Sequence, residues 1–142
     1  MTNYFDLTGQ VAVVTGASAG LGAQFARILA ESSAEVAVLA RRTEMLKSLA
    51  QEITRDTGRR CLYYTCDVGQ EDSIREAVDA ILADFTKIDI LVNNAGIVKY
   101  SRDFPSHTTE KWNMVLGVDL TGAFLFSRYT AEKSMIPNAY GR

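Results

Sequence analysis

The sequence predicts an α/β protein whose parallel strands form one doubly wound sheet, with helices on both faces. Short runs rich in β-branched residues alternate along the chain with longer segments of helical periodicity. The short runs are continuously apolar, as is typical of parallel strands that are covered on both sides. Strands that alternate with helices are joined by right-handed crossovers, so we expect a three-layer αβα arrangement with strand order 3-2-1-4.

The pattern places four strands and four helices in alternation. The predicted strands are Gln10–Thr15, Glu35–Ala40, Arg60–Thr65 and Ile88–Val92. The predicted helices are Leu21–Ser32, Thr43–Thr57, Gln70–Phe85 and a long helix from Thr109 to about Met135.

Each helix has an apolar face that we expect to cover the sheet or a partner. On the first helix this face is a stripe of Phe25, Ile28 and Leu29, and Thr43 is the expected N-cap of the second. The expected buried residues of the second and third helices are Leu46, Leu49, Ala50 and Ile53, and Ile74, Ala77, Val78, Ile81 and Leu82. The long helix carries more large apolar residues than one sheet face needs: Trp112, Val115, Leu116, Leu120, Phe124 and Phe126.

The composition is that of one globular domain, with 47% hydrophobic and 23% charged residues among 142. A formal net charge of -2 argues against nucleic acid or an anionic membrane as a partner. No run approaches the roughly 18 to 20 apolar residues that span a bilayer, and the N-terminus lacks the pattern of a signal peptide. We therefore expect a cytoplasmic protein.

The cysteine and histidine content predicts neither a disulfide nor a metal site. Cys61 and Cys66 are five positions apart, and if the segment between them is a strand, this odd separation points their side chains to opposite faces of the sheet. We expect both to be reduced core residues. The single histidine, His107, lies in a polar stretch and is interpreted as a surface loop residue.

The end of the sequence predicts a fragment. The turn-like segment 139–142 stands where the alternating pattern demands a fifth strand. We expect residues 1–142 to form a single domain that is incomplete at its C-terminus, truncated after the fourth strand and the helix that follows it.

A glycine-rich segment joins the first strand to the first helix: Thr15-Gly16-Ala17-Ser18-Ala19-Gly20-Leu21-Gly22. Glycines at this junction permit a tight turn and close approach of the backbone to a pyrophosphate. The helix N-terminus offers unpaired N–H groups to the phosphates. The alternative is an ordinary strand-to-helix turn, but the position in the first βα unit favours nucleotide binding.

The second predicted strand ends in Ala40-Arg41-Arg42, where dinucleotide-binding proteins often carry an acidic residue that holds the ribose hydroxyls. Two guanidinium groups without a carboxylate favour a 2′-phosphate, and hence NADP rather than NAD, although NAD stays possible. Alternatively, both arginines are solvated residues before a helix.

Polar residues also follow the third and fourth strands, at the carboxyl ends where open α/β sheets bind ligands. Asp67, which precedes Val68, is placed to accept a hydrogen bond from the adenine amino group, or is simply an acid near a helix N-terminus. Asn93 and Asn94, followed by Ala95 and Gly96, either bind across to neighbouring strand ends, line the cofactor crevice, or do both.

Taken together, these motifs resemble the short-chain dehydrogenase/reductase family. The quoted glycine segment, Asp67-Val68 and the segment 89–96 occur in the family's order. The resemblance continues through Trp112-Asn113 and the segment 121–124 to Tyr140-Gly141-Arg142, and so covers essentially the whole chain. It implies a Rossmann-type fold, hydride transfer between NADP(H) or NAD(H) and a small-molecule alcohol or carbonyl, and assembly into homodimers or homotetramers through the long helix.

The resemblance also implies which catalytic residues to look for. The family uses an asparagine, a serine and a Tyr-x-x-x-Lys pair, in which tyrosine is the general acid/base. Asp119 stands at the asparagine position, where a carboxylate accepts hydrogen bonds at neutral pH but does not donate them. Its part in a proton relay is therefore in doubt.

Tyr129 and Lys133 have the catalytic spacing but precede the family's serine segment, so we interpret them as a chance helical pair. The family's serine, tyrosine and lysine would lie beyond Arg142, and this chain alone is expected to be inactive. We therefore expect the chain to be part of an active reductase. The alternative is that it is a non-catalytic nucleotide-binding or structural module. The sequence does not indicate the substrate.

Overall fold

The computed structural model describes residues 5–142 and contains one sheet of four parallel strands in the order β3-β2-β1-β4, as predicted. The strands are β1 (Val11–Thr15), β2 (Glu35–Ala40), β3 (Cys61–Thr65) and β4 (Ile90–Val92). In register, Val13 of β1 lies opposite Ala37 of β2 and Leu91 of β4. The strand ends of the sheet are therefore aligned closely enough to share one binding edge.

Three helices connect the strands, and a long helical segment follows β4. The connecting helices are α1 (Gly20–Glu31), α2 (Thr43–Thr57) and α3 (Glu71–Phe85). The long C-terminal helix, residues 109–135, consists of α4 (Thr109–Leu116), a π-helical segment (Gly117–Gly122), α5 (Ala123–Thr130) and a second π-helical segment (Ala131–Met135). Its extent matches the prediction, but its two π-helical segments were not predicted.

Two apolar cores lie on opposite faces of the sheet. One core is formed with α1 and α2, and the other with α3 and the long C-terminal helix. Cys61 belongs to the first core and Cys66 to the second, and both are free and buried, as predicted. Burial raises the pKa of both thiols, that of Cys61 to about 12.

The predicted inner face of α1 is wrong. Ala23, Ala26 and Ala30 are the side chains buried against the sheet, whereas Phe25 is 37% and Ile28 55% exposed. Leu29 alone of the predicted stripe is half-buried and contacts the core. The close approach of α1 to the sheet leaves room only for small side chains, and the large ones are turned outward.

The predicted cap of α2 is also wrong. Arg42 occupies the N-cap position without a side-chain cap, and Thr43 is the first helical residue. Thr43 Oγ1 lies 2.7 Å from Thr65 Oγ1, which joins the start of α2 to the end of β3. The Thr43 hydroxyl therefore links α2 to β3 and does not cap the N-terminus of α2.

The large apolar residues of the long helix divide between core and surface. Phe126, which was predicted among more apolar residues than one sheet face needs, is fully buried in the second core. Trp112, Leu120 and Phe124 are each more than half exposed. Among residues 5–142, no helix is both long and apolar enough to cross a bilayer.

The free side of β4 contacts the last residue of the chain. The Arg142 N–H donates to Asp89 O, and Arg142 O accepts from the Leu91 N–H, each at 2.9 Å. The buried Asp89 carboxylate accepts the Val11 N–H at 2.8 Å and pairs with Lys87 at 3.0 Å. These contacts fix the position of β4 beside β1.

Candidate functional site

The carboxyl ends of the four strands border a cleft of about 540 Å³. Most of the predicted cofactor-binding residues line it, namely Gly16, Ser18, Ala19, Arg41, Arg42, Asp67, Val68, Asn94, Ala95 and Gly96. It is also lined by Ala40, Cys66, Ile97 and Val118. The topology thus collects residues from all four strand ends at one place.

Positive φ angles shape the glycine loop between β1 and α1. Gly16 has φ +64° and Gly20 has φ +60°, a region that glycine adopts without strain. A Cβ on Gly16 would lie 2.7 Å from Ala95 Cα, so the loop touches the backbone after β4. The N-cap residue Ala19 gives α1 no side-chain cap, which leaves the first-turn N–H groups available to an anion.

Asn94 fastens the glycine loop to the end of β4. Its Nδ2 donates to Thr15 O and Gly16 O, both at 3.1 Å. In return, Thr15 Oγ1 accepts the Asn94 N–H at 3.1 Å and the Ala95 N–H at 3.0 Å. Asn94 therefore does both things left open by the sequence, because it binds across to β1 and lines the cleft.

Asn93 has a different environment from Asn94. Its Nδ2 donates to Ser127 Oγ of α5 at 2.9 Å, and the residue does not line the cleft. Gly20, Leu21 and Gly22 are likewise absent from the cleft lining. Leu21 is 69% exposed, and Gly22 is buried against Asn94.

The two arginines at the end of β2 differ in their contacts. Arg42 Nη2 donates to Ser18 Oγ at 3.2 Å, across the mouth of the cleft. For Arg41 the structure records no hydrogen bond or ion pair with any residue from 5 to 142. Asp67 is the one acidic residue among the described cleft-lining residues, and Ala40 occupies the end of β2. The charge at this part of the cleft favours an anionic ligand.

Asp67 closes the turn after β3 rather than capping α3. Its Oδ1 accepts the Gly69 N–H at 2.9 Å, and its own N–H donates to Ser73 Oγ at 3.0 Å. Gln70 is the N-cap residue of α3, so Asp67 lies outside the helix end. These contacts hold the half-buried carboxylate in the cleft wall.

The first π-helical segment contributes to the wall of the cleft. Val118 lines the cleft, and the neighbouring Asp119 accepts the Ile97 N–H on Oδ1 at 2.8 Å. A Cβ on Gly122 would lie 2.5 Å from Val68 O, so this segment touches the backbone after β3. Val118 and Ile97 were not predicted, because the position of Val118 depends on the π-helical backbone and that of Ile97 on the hydrogen bond to Asp119.

Tyr129 and Lys133 are held by α3 and do not line the cleft. The Tyr129 hydroxyl donates to Glu71 Oε1 at 2.7 Å, which raises the pKa of Tyr129, and Lys133 Nζ pairs with Asp79 Oδ1. Both contacts therefore join the long C-terminal helix to α3, away from the cleft lining.

Comparisons with known proteins agree with this geometry. The family model described as short chain dehydrogenase matches residues 10–142. D-threitol dehydrogenase from Mycolicibacterium smegmatis is 34% identical over 133 residues, which are 92% of this chain and 50% of that protein. The chain spans about half the length of the curated relatives it matches.

Two solved structures share the fold closely. A metagenomic short-chain oxidoreductase in complex with NADP has a TM-score of 0.89 and 36% identity, and the match covers 95% of this chain and 60% of that one. NAD+-bound xylitol dehydrogenase has a TM-score of 0.88 and 32% identity, with 99% of this chain and 52% of that one covered.

Proposed function

The chain belongs to the short chain dehydrogenase family, and from this we propose that its protein is an oxidoreductase that interconverts an alcohol and a carbonyl. In this proposal the chain supplies the dinucleotide site, as a single domain. The observation that carries the proposal is the cleft at the strand ends, with a glycine loop on one side and two arginines on another. Bound NADP(H) would supply or accept the hydride.

The glycine loop is the proposed pyrophosphate site. Gly16 and Gly20 adopt positive φ, and α1 begins without a side-chain cap. Backbone N–H groups at such a helix start bind phosphate oxygens. Asn94 binds the loop through Gly16 O, and Gly22 packs closely against both residues. Leu21 follows Gly20 in the first turn of α1.

The arginines at the end of β2 support a preference for NADP(H). Arg41 has no recorded partner among residues 5–142, and Ala40 places no carboxylate beside it. A charge-assisted hydrogen bond contributes about 1.5 to 3 kcal/mol, or roughly tenfold to a hundredfold in affinity. Arg42 and Ser18 supplement this contact. Ala19 adds no positive charge to the glycine loop, so we expect NAD(H) to bind as well.

The remaining cleft residues divide between the two ends of the cofactor. Asp67 and Val68, at the end of β3, are proposed to contact the adenine. Asn94, Ala95 and Gly96 are proposed to line the cofactor crevice, with Asn93 supporting them through its contact with Ser127.

Asp119 is proposed to act through Ile97 rather than as a proton relay. Its carboxylate accepts the Ile97 N–H at 2.8 Å and so holds the backbone at the cleft wall. Because Tyr129 and Lys133 are paired with α3, we assign the general acid/base to neither of them. The family's serine and Tyr-x-x-x-Lys pair are expected elsewhere in the complete protein.

The exposed face of the long helix is the proposed contact in a homodimer or homotetramer. Trp112, Leu120 and Phe124 are each more than half exposed on this one helix. Large apolar side chains that are exposed together mark interaction surfaces. The buried, free cysteines are compatible with the reducing cytoplasm.

The test is hydride transfer by the complete protein. NADPH is mixed with a panel of ketones, keto acids and sugars, and the loss of NADPH absorbance is followed. Consumption that depends on the carbonyl compound supports an oxidoreductase. Tight NADPH binding without reduction of any carbonyl compound supports the alternative, a non-catalytic nucleotide-binding module.

A further inference from the structure

The later part of the loop between β4 and the long C-terminal helix, residues 97–108, is held by that helix at two points. At the first, the Ile97 N–H donates to Asp119 Oδ1 at 2.8 Å. At the second, Lys111 Nζ donates to Tyr100 O at 3.0 Å and to Ser101 Oγ at 3.1 Å. One rigid element thus fixes both the start and the middle of the loop.

Lys111 occupies a position where the helix itself does not favour a cation. It lies in the first turn of α4, and its N–H donates to the capping hydroxyl of Thr108 at 3.2 Å. Positive charge near a helix N-terminus is unfavourable because of the helix dipole. The two oxygen acceptors in the loop therefore account for the placement of this ammonium group.

Ser101 extends the contact to His107. Ser101 Oγ lies 3.1 Å from His107 Nδ1. A hydroxyl that accepts from an ammonium group keeps its own hydrogen for a second partner. The contacts therefore run from Lys111 through Ser101 to His107, and all three side chains are half-buried.

The loop lacks apolar burial that would order it by other means. Tyr100 is 85% exposed, Phe104 is 92% exposed, and Val98 is also mostly exposed. A loop that buries little apolar surface depends on its polar contacts for a fixed conformation. Among residues 5–142, the side-chain hydrogen bonds that join positions 98–107 to the long helix come from Lys111.

The same loop begins in the wall of the cleft. Ile97 lines the cleft together with Gly96 and Val118, and Tyr100 follows only three residues later. Without the Lys111 contacts, the Asp119 hydrogen bond is the side-chain contact left to resist movement that the nearby Tyr100 segment transmits to Ile97. We propose that Lys111 is a positioning residue for this cleft, which fastens the loop through Tyr100 O and Ser101 Oγ. The inference rests on the proposed dinucleotide function.

The first arm of the test is limited proteolysis of the complete protein with chymotrypsin. The exposed Tyr100 makes the Tyr100–Ser101 bond a substrate, whereas Pro105 protects the bond after Phe104. Lys111→Met should speed cleavage after Tyr100 at least tenfold, as identified by fragment mass. Lys111→Arg, which keeps donors for both oxygens, should stay within twofold of the parent. The control is Lys47→Met, at an exposed lysine of α2 with no recorded polar partner among residues 5–142.

The second arm is the dissociation constant of NADPH for the same variants. Lys111→Met should weaken binding three- to tenfold, and Lys111→Arg should restore it. Unchanged cleavage in Lys111→Met, equal acceleration in Lys47→Met, or faster cleavage with unchanged NADPH affinity would each overturn the inference. A parent that does not bind NADPH refutes the proposed function and the positioning role with it. The cleavage rates then decide separately whether Lys111 fastens the loop.

Discussion

The side-chain amide of Asn94 donates to the carbonyl oxygen of Gly16 at 3.1 Å and so joins the end of β4 to the glycine loop after β1. The same amide donates to Thr15 O. Because the glycine loop has no large side chain to hold it, this amide determines where its backbone lies relative to β4.

Replacing Asn94 with alanine should therefore destabilise the protein and weaken NADPH binding. Two partly buried carbonyl oxygens would lose their donor, at a cost of about 1 to 3 kcal/mol in the free energy of unfolding. Denaturant unfolding of the complete protein measures the change. Asn113→Ala, at an exposed α4 residue without a recorded side-chain hydrogen bond in the described chain, is the control. Equal stability of the two variants would contradict the role of Asn94.

Gly22→Ala should disturb the glycine loop, whereas Gly117→Ala should not. A Cβ on Gly22 would lie 2.5 Å from both Asn94 Nδ2 and Gly16 O, so the loop must shift, at about 1 to 3 kcal/mol. Gly117 has helical dihedrals and no atom within 4 Å of an added Cβ, so alanine there should be neutral or stabilise by up to about 1 kcal/mol. Thermal melting and NADPH titration of both variants check this contrast.

The two thiols should react slowly with a disulfide reagent until the protein unfolds, because burial raises the pKa of both. The sign of the pH effect follows from the same shift. An unfolded thiol has a pKa of about 8.5, but burial raises the pKa of folded Cys61 to about 12. The unfolded state therefore loses its proton first, and stability falls as pH rises from about 9 toward 12.

The variant Cys61→Ala distinguishes the effect of this thiol on stability from the effects of other groups that ionise at high pH. Its stability should decline less steeply than that of the parent between pH 8 and 10, by denaturant unfolding at each pH. Parallel declines for parent and variant would show that Cys61 ionises normally in the folded protein.

The exposed face of the long helix should mediate self-association. Phe124 is 60% exposed and Leu120 64% exposed, one turn apart. Phe124→Glu should shift the complete protein toward monomers in sedimentation experiments, since a buried unpaired charge is costly at an interface. The matched control is Phe25→Glu on the outer face of α1. A parent that is monomeric at all concentrations would refute the interface.

The sequence was sufficient for the strand order and for most of the cleft lining. Continuous valine runs such as β1 have few interpretations other than buried parallel strands, and the carboxyl ends of such strands meet at one edge. Gly16, Arg41, Asp67 and Asn94 each follow one of these strands, so the sequence alone predicts that they lie together.

Other features depended on distances that a one-dimensional pattern does not contain. The stripe of Phe25 and Ile28 has helical spacing, but the close approach of α1 selects Ala23 and Ala26 for the sheet face. Val118 and Ile97 have no distinctive chemistry. Their positions follow from a π-helical backbone and from the Asp119 hydrogen bond.

We propose that this cleft holds NADP(H) and that Arg41 selects its 2′-phosphate. The most direct measurement is the ratio of the NADH and NADPH dissociation constants for the complete protein, before and after Arg41→Ala. Arg59→Ala, which removes an arginine outside the cleft, is the control. We predict that the parent binds NADPH roughly tenfold to a hundredfold more tightly than NADH, and that Arg41→Ala removes most of this difference. Equal binding of the two cofactors by the parent, or an unchanged ratio in Arg41→Ala, would contradict the account.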